Sequence, residues 1–382
     1  MIGYYEESIF APYIRQWSAE FPQFTIKYLR EYTALGTAGG LYHFRDAIMK
    51  GNPSRLFVVN ADVCCSFPLK EMLDMFEEKE AEAVLLGTKV SNEAASNFGR
   101  ECPFQLLSPV RVLIFAFTGI VADPKTSQVR HYVEKPESHI SNLINCGVYL
   151  FSSSIFSLIR SAMEDKAIRL ASDPTLDPSD GDTSSVLRLE QDILGPLSDS
   201  RRFFVYETRD FWRQIKTAGS AVPANALYLQ KAWQSESNEL SQPSAFIVPP
   251  VYIHPTAVVD PTAKLGPNVS IGPRAVIGAG ARIKESIVLE DAEIKHDACI
   301  LYSIIGWQSK VGAWARVEGT PMSVTEHSTT VVKNGVRVQS VSILSRDCKV
   351  GDEVRVWNCV TLPFKELKRV FIPSSTPRLI WY

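Results

Sequence analysis

The segment Val251–Glu290, VYIHPTAVVDPTAKLGPNVSIGPRAVIGAGARIKESIVLE, repeats a pattern every six residues. Ile253, Val259, Leu265, Ile271, Ile277, Ile283 and Leu289 hold one phase of the repeat. Small or apolar residues hold another, at Ala257, Ala263, Val269, Ala275, Ala281 and Ile287. Pro255, Pro261, Pro267 and Pro273 keep the same step, as do Gly266, Gly272 and Gly278. Neither a helix nor a single strand of a sheet produces that period. A hexapeptide β-helix does, because each side of a triangular coil sends one aliphatic side chain inward onto the coil below. The step returns at Ile305, Val311 and Val317, and again at Val338, Leu344, Val350, Val356 and Leu362. Between these runs, GTPMSVTEHSTTVVKNG (319–335) is polar and reads as a loop thrown out of the solenoid. The β-helix is expected over 251–368, with a divergent tail at 369–382.

Upstream, QSESNELSQPSAFIVPP (234–250) reads as a linker. Residues 1–233 have a different texture, with short apolar runs alternating with amphipathic stretches. RLFVVN (55–60), EAVLLGT (82–88), GVYLF (147–151) and FFVYE (203–207) read as buried strands, and PLKEMLDMFEEKE (68–80) as an amphipathic helix. Strands alternating with helices predict an α/β domain with a mostly parallel sheet. ASDPTLDPSDGDTSS (171–185), rich in Asp, Ser and Pro, predicts a surface loop.

Composition narrows the function. The 382 residues carry a net charge of −2 and no run of Lys or Arg, so neither nucleic acid nor an anionic membrane is an expected partner. No apolar stretch reaches the roughly 20 residues that a spanning helix needs. The seven cysteines (Cys64, Cys65, Cys102, Cys146, Cys299, Cys348 and Cys359) form no C-x-x-C pair. Reduced thiols in a cytoplasmic protein are the expectation. His254 and His296 lie on β-helix coils, where a histidine can act as an acyl-transfer base, but single surface histidines are the commoner case.

LGTAGGLYHF (35–44) packs Gly36, Gly39 and Gly40 ahead of an amphipathic stretch. By itself such a loop is a turn or a phosphate cradle, since helix N-termini present unpaired N–H groups to anions. Together with VVNADV (58–63), YVEKP (132–136) and INCGVYLF (144–151), in that order and before a β-helix, it resembles the sugar-nucleotide pyrophosphorylases. YLREYTALGTAGGLYHFRDAI, RLEQDI (188–193) and IIGWQSKVGAWARVEGTP (304–321) are most similar to GDP-mannose pyrophosphorylases, the mannose-1-phosphate guanylyltransferases, of alpha type. The resemblance implies a Rossmann-like nucleotidyltransferase mixed sheet followed by a left-handed hexapeptide β-helix. It places Leu35, Gly36, Thr37, Ala38, Gly39 and Gly40 against guanine and ribose, Glu134, Lys135, Asn145 and Gly147 at the sugar and its phosphate, and Asp62 on Mg²⁺.

Three departures from the family pattern qualify that reading. The phosphate loop G-G-x-G-T-R-x-x-P-L-T is absent, and about 50–70 residues, two βα units of average length, are expected to be missing before Met1. A sheet lacking those strands would expose apolar faces and a bare edge. In RDFWRQIKTAG (209–219), Gln214 stands where active relatives carry the second magnesium-binding Asp. A neutral amide is a poorer ligand for a hard cation than a carboxylate. RECPFQLLSPVRVLIFAFTG (100–119) has no counterpart and reads as a retained intron or an inserted strand. The resemblance thus implies a GDP-mannose-binding or guanine-nucleotide-binding regulatory subunit that is weakly active or inactive, in a hetero-oligomer with a catalytic subunit. The loop at 319–335 is the expected reach toward that partner. An active guanylyltransferase is the alternative, and a β-helix scaffold whose α/β half binds nothing is the third reading.

Overall fold

The computed structural model describes residues 1–90, 119–133, 141–172, 186–321, 330–333 and 336–368. The segments 91–118, 173–185 and 369–382, which hold the unmatched stretch, the acidic loop and the divergent tail, lie outside the described residues. So does most of the loop at 319–335. The chain divides into two compact units, Met1–Trp212 and Arg213–Tyr382.

In the first unit, β1 (Ile2–Gly3) and β2 (Leu29–Arg30) form a small parallel pair, joined through helix α1 (Glu7–Glu20). Helix α2 (Gly36–His43) and the short α3 (Arg45–Ile48) follow. The main sheet contains β3 (Arg55–Val59), β5 (Ala83–Lys89), β6 (Gly119–Ala122), β7 (Val129–Val133), β8 (Leu143–Ser152) and β9 (Phe203–Thr208). The short β4 (Val63–Cys65) and helix α4 (Leu69–Glu78) lie between β3 and β5 in the chain, and α5 (Ile155–Ser172) follows β8. All four expected strands and the expected helix are present.

The strand directions differ from the parallel expectation. β5 and β9 run parallel, but β8 is antiparallel to β3, β5 and β6, so the sheet is mixed. β6 pairs antiparallel with both β7 and β8, so β7 and β8 run one way and β3, β5, β6 and β9 the other. β8 is central and buries Val148, Tyr149, Leu150 and Phe151 completely, so its alternate residues serve two cores. Tyr149 and Phe151 pack with Leu41, Ile155 and Leu187, and Val148 and Leu150 with Met72 and Phe76 of α4.

Among the described residues β3 pairs with β8 alone, and Phe57 and Val59 stay 37% and 43% exposed. Helix α1 buries none of its residues, and Ile9, Tyr13 and Trp17, spaced along one helix face, remain exposed.

The second unit begins with the end of a short strand and helix α7 (Ala221–Gln234), numbered after the one-turn α6 at Gly195–Leu197. Its solenoid has three parallel sheets. The first holds Val251–Ile253, Val269–Ile271, Ser286–Val288, Ser303–Ile305 and Ser342–Leu344. The second runs from Val258–Val259 to Glu366–Leu367. The third holds Lys264–Leu265, Arg282–Lys284, Cys299–Leu301, Arg316–Glu318 and Arg355–Trp357. Ile271, Ile277, Ile283, Ile305, Val311 and Val317 form the inner stack, as their spacing predicts. Helix α7, which the sequence places in the α/β half, covers the first sheet, with Val222 packed beside Ile304, Val341 and Ile343.

Four positions depart from the six-residue step: Ile287, Leu289, Val338 and Leu362 are not part of the inner stack. Val251 pairs with Val269, an 18-residue coil, but Ile271 pairs with Val288, a 17-residue coil. The corner Gly266–Pro267–Asn268 is replaced by the shorter Lys284–Glu285, with Glu285 in the left-handed region at φ 47°. Val288, rather than Leu289, therefore points inward. Val338 is not on a coil either. It pairs with Val331 in an antiparallel hairpin of Thr330–Lys333 and Val336–Gln339, and the solenoid resumes at Ser342–Leu344. Alternating valines satisfied the repeat by coincidence, because a strand of period two matches every multiple of two.

One carboxylate joins two coils of the third sheet. Glu318, with only 9% of its side chain exposed, receives Nε and Nη2 of Arg316 on one oxygen. Its other oxygen receives Nε and Nη2 of Arg355 at 3.2 and 3.0 Å. Burial by itself would raise the Glu318 carboxyl, but the hydrogen bond and charge of Arg316, joined by Arg355, outweigh it and hold the group below its ordinary value. A depressed carboxyl contributes stability above the unfolded value, and that contribution is lost as pH falls through the folded value. Glu318→Gln is therefore expected to lower stability at pH 7 by about 1–3 kcal/mol. The deficit should shrink as pH falls below the ordinary glutamate range and the wild-type carboxyl also takes up a proton; thermal melts at pH 7 and in increasing acid check it.

Candidate functional site

The site in the first unit is assembled from four sequence segments that converge on β8. The first is the glycine-rich stretch. Leu35 precedes helix α2, and its carbonyl accepts the Leu187 N–H at 2.8 Å. In return, the Leu187 carbonyl accepts the N–H groups of Ala38 and Gly39 at 3.1 and 3.3 Å. Two donors at the start of this helix, which could otherwise have met an anion, are thus satisfied by the chain itself. The loop is not a phosphate cradle through those amides. Of the six residues, only Thr37 is exposed; Ala38, Gly39 and Gly40 are buried.

The glycines follow from these contacts. Gly36 adopts φ +76°, and a Cβ there would lie 2.4 Å from the Leu187 carbonyl oxygen. A side chain at Gly40 would collide with the Glu31 carboxylate. Burial raises the Glu31 carboxyl above its ordinary value, opposed by the charge of His43.

The second segment, 187–190, leads from Leu187 to Glu190, which reaches the third, β8. Tyr149 donates its hydroxyl to Glu190 Oε1 at 3.2 Å and accepts Asn145 Nδ2 at 2.8 Å. Asn145 Nδ2 also donates to the Tyr132 hydroxyl at 2.8 Å, and Asn145 Oδ1 accepts the Gly147 N–H at 2.8 Å. Burial first, and then the Glu190 charge, push the Tyr149 hydroxyl well above its ordinary value, so it remains a proton donor. The Asn145 amide is held in one orientation by three partners.

The fourth segment is the end of β3. Asn60 donates its N–H to the Gly147 carbonyl at 2.8 Å. Gly147 sits at φ +73°, and a Cβ there would lie 2.8 Å from Asn60 Nδ2. Asp62 follows, half-buried in the turn before β4. Asn60, Asp62, Asn145 and Gly147 thus gather at the C-terminal end of β3, the side on which open α/β sheets bind ligands.

The structure joins the glycine stretch to Asn145 and Gly147 through Leu187, Glu190 and Tyr149. Glu134 and Lys135 lie outside the described residues. Gln214 ends the short strand Trp212–Gln214. Sequence reading singled out neither Glu190 nor Tyr149 as a site residue. The available signal was an acid next to leucine in RLEQDIL and a tyrosine within the apolar run GVYLF.

Among the described residues, no group of three or more His, Cys, Asp or Glu gathers where it could hold a metal. Asp62 offers a single carboxylate, a donor set poorly matched to a hard divalent cation.

A mixed α/β sheet with a glycine-rich stretch, an Asn-x-Asp turn at a strand end and an Asn-x-Gly on the central strand defines a nucleotidyltransferase. Residues 3–173 match the nucleotidyl transferase family, and residues 247–376 match the GMPPB C-terminal domain. A probable mannose-1-phosphate guanyltransferase of Schizosaccharomyces pombe is 48% identical over 371 residues, covering 96% of this chain and 84% of the relative. The mannose-1-phosphate guanylyltransferase regulatory subunit alpha of Dictyostelium discoideum is 40% identical, covering 97% of this chain and 84% of the relative. The regulatory subunit alpha-A of Danio rerio is 41% identical, with 91% and 80% covered. The chain belongs to the mannose-1-phosphate guanylyltransferase family. Among the described residues, no helix is long and apolar enough to cross a membrane.

Gly36→Ala tests the close approach at Leu187. It is expected to cost about 1–3 kcal/mol, from the left-handed backbone and the displaced carbonyl, read as a lower urea midpoint. Thr37→Ala, at the exposed position beside it, should leave the midpoint within about 0.5 kcal/mol.

Proposed function

We propose that this chain is a nucleotide-sugar-binding regulatory subunit of GDP-mannose synthesis, with little or no turnover of its own. The observation that carries the reading is the donor set, in which Asp62 supplies a single carboxylate and no acidic cluster accompanies it among the described residues. Guanylyl transfer from GTP to mannose 1-phosphate concentrates negative charge on the reacting phosphates, and catalysis depends on cations held to offset it. Recognition needs less. The glycine stretch, the Asn145 amide held by Tyr132 and Tyr149, and the Asn60–Gly147 contact supply a shaped surface and fixed polar groups without metal chemistry.

Relatives named regulatory subunit alpha support the same reading and suggest that the chain acts within a hetero-oligomer beside a catalytic subunit. Binding of GDP-mannose by such a subunit would act as a coupling free energy on its partner's site. The active-enzyme reading is favoured by one observation: the Schizosaccharomyces pombe relative is named a guanyltransferase without the regulatory qualifier.

Titration calorimetry with GDP-mannose and with GTP–Mg²⁺, followed by an assay of GDP-mannose formation from mannose 1-phosphate, separates the two. GDP-mannose should bind, and turnover should fall below about 10⁻² s⁻¹, some three orders under the median enzyme. Turnover near 10 s⁻¹ would instead establish the active enzyme. Absence of any guanine-nucleotide binding would leave the chain a scaffold.

A further inference from the structure

The three faces of the solenoid differ in charge and cover. Helix α7 covers the first sheet, where Ser270 donates to Asn225 Oδ1 at 2.6 Å and Ile304 and Ile343 meet Val222. On the second sheet, one outward column reads Val258, Val276, Glu293, Lys310, Lys349 and Glu366, with two charges of each sign. Lys310 there pairs with Glu293 at 2.8 Å.

The third sheet is different. Its register aligns Lys264, Arg282, Cys299, Arg316 and Arg355 in one outward column, so four of five rungs are cationic. Lys284 stands beside them on the neighbouring column, and Glu318 is the one acid on the face's paired rungs. All five cations are exposed. Among the described residues Lys264 and Arg282 form no salt bridge. Arg316 and Arg355 each commit Nε and Nη2 to Glu318, which fixes both guanidinium planes and leaves each Nη1 outside that contact. Cys299 and Leu301, half-buried, put an apolar rung in the middle of the column, and half-buried Trp357 closes its end beneath Arg355.

We propose that this face docks an acidic, extended polypeptide segment of a partner chain, with carboxylates on the cationic rungs and an apolar residue over Cys299 and Leu301. Charge complementarity specifies the occupant. A net excess of four positive charges stands on one face of a chain whose overall charge is −2. Rungs on adjacent coils lie about 4.8 Å apart, so Lys264 to Arg355 spans about 19 Å, the reach of about six extended residues. The β-helix supplies the rigidity. Arginines already oriented by Glu318 lose little freedom on meeting a second carboxylate. The apolar middle favours a polypeptide over a uniformly charged polyanion.

The full chain would be titrated, at low salt, into a fluorescein-labelled peptide of five glutamates around a central leucine, with anisotropy as the readout. The wild type is expected to bind, and the double variant Lys264→Glu/Arg282→Glu to bind about tenfold or more weakly. The neutral pair Lys264→Gln/Arg282→Gln should lie between them, and the second-face pair Lys310→Glu/Lys349→Glu should bind like the wild type. Neither third-face pair touches the Arg316–Glu318–Arg355 group, so both should melt close to the wild type. No binding by the wild type, equal loss in the second-face variant, or displacement of the peptide by inorganic polyphosphate at far lower charge concentration would each overturn the proposal.

Discussion

Every coil of the solenoid must turn one aliphatic side chain inward on each of its three sides, and the rest of the second unit depends on that constraint. Val269, Ile271, Ile277, Ile283 and their successors are almost wholly buried, and each rests on the equivalent residue one coil away. Once the inner stack is fixed, the outer register has no freedom. Arg282 must lie over Lys264 and Arg355 over Arg316, because Ile283 lies over Leu265 and Val356 over Val317. Like charges on adjacent rungs would ordinarily repel. The inner stack holds them there, and Glu318 offsets two of them.

In the first unit, β8 plays the corresponding part. It runs antiparallel to three neighbours, divides its alternate side chains between two cores, and carries Asn145, Gly147 and Tyr149 to the place where the other segments meet. The glycine-rich stretch finds its partner in the Leu187 carbonyl, which takes the amides of Ala38 and Gly39.

Much of the fold could be read from the residues. Strands at 55–60, 82–88, 147–151 and 203–207, the helix at 68–80 and the six-residue solenoid all have strong local periodicity, and each formed. Local periodicity could not count residues around a corner, so Leu289 read as an inner residue when a one-residue shorter corner turned Val288 inward. Nor could it separate an outward hairpin from a coil at Val338, since both patterns repeat at even steps. Strand direction was equally hidden. β8 runs against β3, β5 and β6, and nothing in GVYLF itself encodes that.

The candidate site divides in the same way. The sequence by itself determined the presence of LGTAGG, VVNADV and INCGVYLF, the neutral Gln214, and the solenoid's inner aliphatics, because these depend on residue type and short spacing. Only the tertiary structure decided that Leu187 would take the amides of Ala38 and Gly39, that Glu190 and Tyr149 would hold Asn145, and that Lys264, Arg282, Arg316 and Arg355 would share a column. Those contacts join residues between 4 and about 150 positions apart, and only closure of the chain brings them within reach of a hydrogen bond or a shared electrostatic field.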